Sequence, residues 1–240
     1  MTTLPPSEYA ARIAKAQGLM ATAGLDALLL TTEPEVRYFT GYLTRFWESP
    51  CRPWFLVVPA SGGAIAVIPS IGAELMASCG VQDIRTWPAP QPEDEGISLL
   101  VDALAPFKRV GTPMGQQSSL RMPLSDWAKL NAAHPIVDDA GIVRRLRLVK
   151  SAGEIAQIQA ACAIGDAAFA QVPSFAKPGA PLSQVYRDTQ SACLQAGADW
   201  VPYLAGAADQ GGYGDVISPA TDKSLAGGAV LMLDTGLVRR

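Results

Sequence analysis

Apolar residues fall into two alternating rhythms through the first 140 positions. Ile13, Leu19 and Met20 share one helical face, Ser7 stands where a capping hydroxyl is wanted, and Gly24 stands where a helix closes, predicting a helix over 7–24. Residues 25–30 form a short apolar run of the length of a buried strand. Two more strands, 55–59 and 64–68, flank the turn Ala60-Ser-Gly-Gly63. Helix follows at 71–78, closing at Gly80, then a strand at 83–87 and a proline-rich acidic loop at 88–95. A helix at 97–107, a strand at 109–113 and a helix at 124–133 continue the alternation. Strands interleaved with helices predict a three-layer α/β domain.

The pattern changes near residue 140. Residues 141–150 read GIVRRLRLVK, three Arg and one Lys in ten positions, which suggests a solvated connector. Ser151-Ala-Gly-Glu154 has the spacing of a capping box, in which hydroxyl and carboxylate each satisfy an orphan backbone amide. The helix it opens spaces Ile155, Ile158, Cys162, Gly165, Phe169 and Val172 by three and four, an amphipathic stripe. Pro178-Gly-Ala-Pro181 interrupts it. A second helix carries Leu182, Val185, Thr189, Ala192 and Ala196 and closes at Gly197. A Gly-rich stretch, 206–214, precedes a last strand, 230–237, that carries Asp234. Such apolar strands usually bury both faces, and a carboxylate inside one requires a partner, most simply a metal ion.

Composition narrows the classes. Of 240 residues, 49% are hydrophobic, ample for a core, and 19 basic against 22 acidic residues leave a net charge of −3. With no basic run of length, nucleic acid and anionic membranes are excluded as expected partners. Cys51, Cys79, Cys162 and Cys193 match no zinc or redox spacing and read as free thiols. Together with an N-terminus that lacks a basic start and an apolar core, they point to the cytoplasm. No apolar run reaches the roughly 20 residues of a membrane-spanning helix.

Three stretches, in this order, resemble the creatinase/prolidase/Xaa-Pro aminopeptidase family, the "pita-bread" metallohydrolases. They are Tyr38-Phe-Thr-Gly-Tyr42, Arg147-Leu-Val-Lys-Ser-Ala-Gly-Glu-Ile155 and Leu225-Ala-Gly-Gly-Ala-Val-Leu-Met-Leu-Asp-Thr-Gly236. The first is similar to a Tyr-x-Thr-Gly turn in the family's N-terminal domain. The second is similar to the entry into its catalytic domain, and the third to the segment bearing its first metal-binding aspartate. The resemblance implies a creatinase-like N-terminal α/β domain with a mixed sheet over 1–140, a connector over 141–150 and part of an α+β pita-bread domain over 151–240. It implies two divalent ions (manganese, cobalt or zinc) in a complete homologue, held by two Asp, one His and two Glu. Asp234 matches the first Asp; the other four ligands have no counterpart here, so no metal is expected in this chain alone. The Gly-Asp that opens the family's third segment is Gly228-Ala229 here. The family's aminopeptidases carry a histidine upstream of the first Asp, where Val216, Ile217 and Ser218 stand in this chain. The one histidine, His134, reads as a surface or loop residue.

Weaker candidates for substrate contact are Tyr213 and Asp215, in the Gly-rich loop, and Arg45 and Trp47, in an aromatic and basic patch with Phe46 and Trp54. A turn residue is the plainer reading for the loop pair, and core or dimer interface the plainer one for the patch. No residue is assigned as catalytic. The expectation is a dinuclear-metal hydrolase of C–N bonds acting on a peptide or amide, homodimeric, and truncated and inactive in this form. The alternatives are a non-catalytic dimer-forming scaffold and a ligand-binding α/β module.

Overall fold

The computed structural model describes residues 4–49, 52–211 and 214–239. The chain divides into two compact units, Met1–Val149 and Lys150–Arg240.

The first unit runs α1 (Pro6–Ala23), β1 (Ala27–Leu30), α2 (Glu33–Thr40), β2 (Phe55–Pro59), β3 (Ile65–Pro69), α3 (Ala73–Ser78), β4 (Asp83–Trp87), α4 (Ile97–Leu104), β5 (Val110–Thr112), α5 (Leu124–Ala133), β6 (Ile136–Asp138) and α6 (Ile142–Leu148). Its six strands lie in the order β4-β3-β2-β1-β5-β6. β2 is antiparallel to both neighbours and every other pair is parallel, so the sheet is mixed. Alternating side chains feed two cores. Leu28, Leu30, Leu56 and Val58 pack with Met20, Val36, Phe39, Met76 and Ile142 on one face. Ala27, Leu29, Phe55 and Val57 pack with Leu100, Leu104 and Leu130 on the other. Helices on both faces give the three layers expected.

Three elements of the first unit differ from the sequence reading. The basic run is not a solvated connector: it forms α6, with Ile142 and Val143 buried in the first core. Asp139 starts it, its carboxylate accepting from the Gly141 and Val143 amides at 2.8 Å each, the bonding of an N-cap. The Tyr38-Phe-Thr-Gly segment is not a free turn but the last turn of α2, closed at Gly41. Opening that helix, Glu35 reaches back to accept from the Thr32 amide at 3.2 Å, half of a capping box. Also, α1 starts at Pro6, a favoured first helical position, and not on a Ser7 cap.

The second unit runs α7 (Ala152–Phe169), α8 (Val172–Phe175), α9 (Leu182–Gln195), β7 (Trp200–Asp209) and β8 (Val230–Val238). The capping box forms as read: Ser151 Oγ accepts from the Glu154 amide at 3.1 Å, and Glu154 accepts from the Ser151 amide at 2.8 Å. The stripe of α7 does not point inward, however. Its buried residues are Ile164 and Ala168, while Ile155, Ile158 and Phe169 are 47%, 49% and 40% exposed. The helix is apolar on more than one side, so periodicity does not choose between faces. On the inward side Gly165 lies near Leu237, which a Cβ would meet in ordinary contact at 3.8 Å. Ile164, Ala168, Ala192, Cys193 and Ala198 make up this core.

Candidate functional site

β7 and β8 form a two-stranded antiparallel ribbon in which Asp234 faces Ala205 and Tyr203 faces Gly236. The strands approach closely at Gly206, where a Cβ would lie 2.2 Å from the Met232 carbonyl oxygen; only glycine fits. Near its start β7 carries a register irregularity between Trp200 and Tyr203, a span that contains Pro202, a residue strands admit at bulges.

Asp234 is exposed, contrary to the expectation of a carboxylate inside a strand buried on both faces. Among the described residues β8 pairs with β7 alone. The partner is a phenol: Tyr203 Oη donates to Asp234 Oδ2 at 3.2 Å. Thr235 Oγ1 donates to the Tyr203 carbonyl at 2.8 Å and ties the same pair of strands. Local desolvation first, and the Asp234 carboxylate second, push the Tyr203 phenol up, so at neutral pH it stands as a hydrogen-bond donor. Tyr186, on α9, places its hydroxyl near Gly206 without a hydrogen-bond partner; burial and then Tyr203 push it up as well. Sequence reasoning missed Tyr203. The signal was available in the antiparallel register, which puts Tyr203 diagonally across from Asp234, but β7 itself was not read.

The other candidates are placed as follows. Asp215 is exposed, and its Oδ1 accepts from the Ser218 amide at 3.1 Å and the Ile217 amide at 3.3 Å. The Ser218 side chain first, and then these amides, hold its carboxyl low, and the amide bonds are those of a turn aspartate. Tyr213 lies outside the described residues. Arg45 is exposed and pairs with Glu48 at 3.0 Å. Trp47 is 6% exposed, packed at 5.9 Å from Trp54, which is fully buried. The tryptophans are therefore core, and only Arg45 and Phe46 of the patch reach the surface. His134 ends α5, its amide bonded to the Leu130 carbonyl. Among the described residues no three His, Cys, Asp or Glu side chains stand together as metal ligands. One exposed carboxylate with one oxygen taken by a phenol does not make a cage for two ions.

In open α/β sheets the usual ligand crevice lies at the carboxyl ends of the strands, where neighbouring connections diverge. In the first unit that place is between β1 and β5. There Arg121 N donates to Thr31 Oγ1 at 3.0 Å and Thr112 Oγ1 to the Leu29 carbonyl at 2.9 Å.

Among the described residues no helix is long and apolar enough to cross a membrane, and Cys79, Cys162 and Cys193 are free. Residues 12–149 match the family model of the creatinase/prolidase N-terminal domain. The chain is 28% identical over 231 residues to the probable dipeptidase PepE of Mycobacterium tuberculosis, covering 95% of this chain and 59% of that protein. The structure of dipeptidase PepE from Mycobacterium ulcerans superposes with a TM-score of 0.78 at 27% identity, over 98% of this chain and 62% of the other. The fold of the Xaa-Pro dipeptidase from Bacillus anthracis matches with a TM-score of 0.77 at 20% identity, over 95% and 61%. The chain thus spans about three-fifths of the length of these relatives.

Proposed function

As the chain belongs to the creatinase/prolidase N-terminal domain family, we propose that it carries that domain and one metal-ligand carboxylate, Asp234, of a peptidase-type hydrolase of C–N bonds. The reading rests on Asp234 standing exposed on a strand ribbon with its Oδ2 held by Tyr203. A partner that donates to one oxygen orients the other for a cation, which is how outer-shell groups act on metal ligands. The names of the relatives, a probable dipeptidase and an Xaa-Pro dipeptidase, make a short peptide the substrate class to test first. Two divalent ions would supply Lewis acidity and an activated water when bound. The described residues do not form that cage, so no catalytic step is assigned to this chain. Free thiols fit a reducing cytoplasm. Homodimerisation belongs to the same reading, with Arg45 and Phe46, not the tryptophans, as the surface on offer.

The test is where a cation goes. Manganese added at millimolar concentration broadens the amide signals around Asp234 and Tyr203 in the nuclear magnetic resonance spectrum. Asp234→Asn abolishes the effect, and Tyr203→Phe weakens it. Broadening centred elsewhere, or unchanged in Asp234→Asn, overturns the ligand assignment.

A further inference from the structure

Arg121 sits in the loop between β5 and α5, yet it is bonded as if it were part of the sheet edge. Its backbone amide is held by Thr31 at the carboxyl end of β1. Its guanidinium donates to three main-chain carbonyls: Nη1 to Arg52 at 3.0 Å, and Nη2 to Trp47 and Ser49 at 2.6 Å each. It also lies over the Trp47 ring at 5.5 Å. No carboxylate among the described residues hydrogen-bonds it. Glu33 acts on it only through space, and burial pulls its pKa down. A half-buried guanidinium whose hydrogen bonds among the described residues all go to carbonyls is an unusual use of an arginine. Nothing in the local sequence, Ser119-Leu-Arg-Met-Pro123, marks it out.

The three carbonyls belong to the segment that follows α2. A short 3-10 turn there, Arg45–Glu48, turns Trp47 into the core and Arg45 and Phe46 to the surface. Among its own holds, the Ser49 amide donates to the Phe46 carbonyl at 3.0 Å. Thr44 Oγ1 accepts from the Phe46 amide at 3.2 Å, and the exposed Arg45–Glu48 pair contributes at most about 1 kcal/mol. Arg52 stacks on Phe46 at 5.1 Å, so the carbonyl Arg121 holds on Arg52 also fixes the neighbour of the exposed ring.

We propose that Arg121 is a positioning residue: held by Thr31 at the carboxyl end of β1, it latches the Trp47, Ser49 and Arg52 backbone and so sets where Arg45 and Phe46 are displayed. A planar fork can span three carbonyls at once, whereas an ammonium offers one point. Any bearing on substrate or dimer contact rests on the function proposed above; the latch itself does not.

The experiment reads Trp47 as a reporter in Arg121→Ala and Arg121→Lys, each also made in a Trp47→Phe background to isolate its signal. With far-ultraviolet circular dichroism unchanged, Arg121→Ala shifts the Trp47 emission to the red and raises its quenching by acrylamide. Arg121→Lys recovers little of the protection. Millimolar methylguanidinium, but not methylammonium, restores it in Arg121→Ala, a rescue that a generic packing lesion would not show. Native-like Trp47 emission in a folded Arg121→Ala, or full recovery in Arg121→Lys, overturns the latch. If Arg121→Ala fails to fold, Arg121→Lys carries the decision by the same emission and quenching. The manganese experiment shares no residue with this one, so either idea can fail without the other.

Discussion

The 240-residue chain is expected to hydrolyse neither a dipeptide nor an Xaa-Pro peptide in the presence of manganese, cobalt or zinc, with Asp234→Ala changing nothing in that assay. Dinuclear hydrolysis needs two ions clamped roughly 3.5–4 Å apart, each with several protein ligands. Asp234 offers one free carboxylate oxygen, the other being taken by Tyr203. The single histidine of the chain, His134, ends α5 in the first unit. An exposed ion on one carboxylate keeps its water shell, so neither geometry nor a lowered water pKa is imposed on it. Turnover that disappears in Asp234→Ala would mean that a complete site assembles from these residues after all.

Trp54→Ala produces the second large effect, a loss of about 3–5 kcal/mol from the first unit, the cost of emptying a fully buried indole site. At roughly 4 °C per kcal/mol for a unit of this size, the midpoint falls by roughly 12–20 °C. Trp54 is the floor on which Tyr42 and Trp47 rest, with ring centroids at 5.6 and 5.9 Å. Its other face meets Gly72, where a Cβ would lie 2.4 Å from the indole and 2.5 Å from the Tyr42 hydroxyl. Gly72 has φ −94 and ψ −4, which any residue adopts, so its glycine is required by space and not by backbone conformation. Gly72→Ala alone therefore costs about 1–3 kcal/mol by overpacking. Because the indole causes part of the clash and the Tyr42 hydroxyl the rest, the double variant is less destabilised than the sum, with a coupling of about 1 kcal/mol. Denaturant melts of the four proteins check this. Additivity within about 0.5 kcal/mol would mean that Trp54 moves aside and the contact does not hold it.

Legibility in the sequence followed the range of the interactions. β4 over Asp83–Trp87 and α5 over Leu124–Ala133 end where the sequence reading ends them, because their limits are set by nearby turn residues. The Ser151 capping box was readable for the same reason: both of its bonds span three residues. α2 carried the same kind of signal in Thr32 and Glu35, masked by Pro34 and by a charge-rich first turn. α6 was obscured because Arg144, Arg145 and Arg147 dominate its composition, while only Ile142 and Val143 report the core it joins. β7 has no clean alternation and includes Pro202 and Gly206, so its existence depends on β8, more than twenty residues downstream. Of the candidate site, Asp234 was legible through the family pattern around it. Its exposure and its bond to Tyr203 were not, since both arise from pairing across strands distant in sequence.

The unequal cores have a consequence for cooperativity. The first unit holds a six-stranded sheet between two helical layers, whereas the second rests on a cluster of five buried residues beside a two-stranded ribbon, with Val185, Thr189, Gly206, Ala207 and Leu225 buried outside that cluster. Burial on that scale supports far less resistance to opening, so the two units leave the native state at different free energies. Heating then gives a calorimetric enthalpy larger than the van't Hoff value, and amide hydrogens of α9 and β7 exchange well before those of β1 and β2. A single midpoint describes neither unit: the ribbon that bears Asp234 belongs to the part of the molecule that yields first.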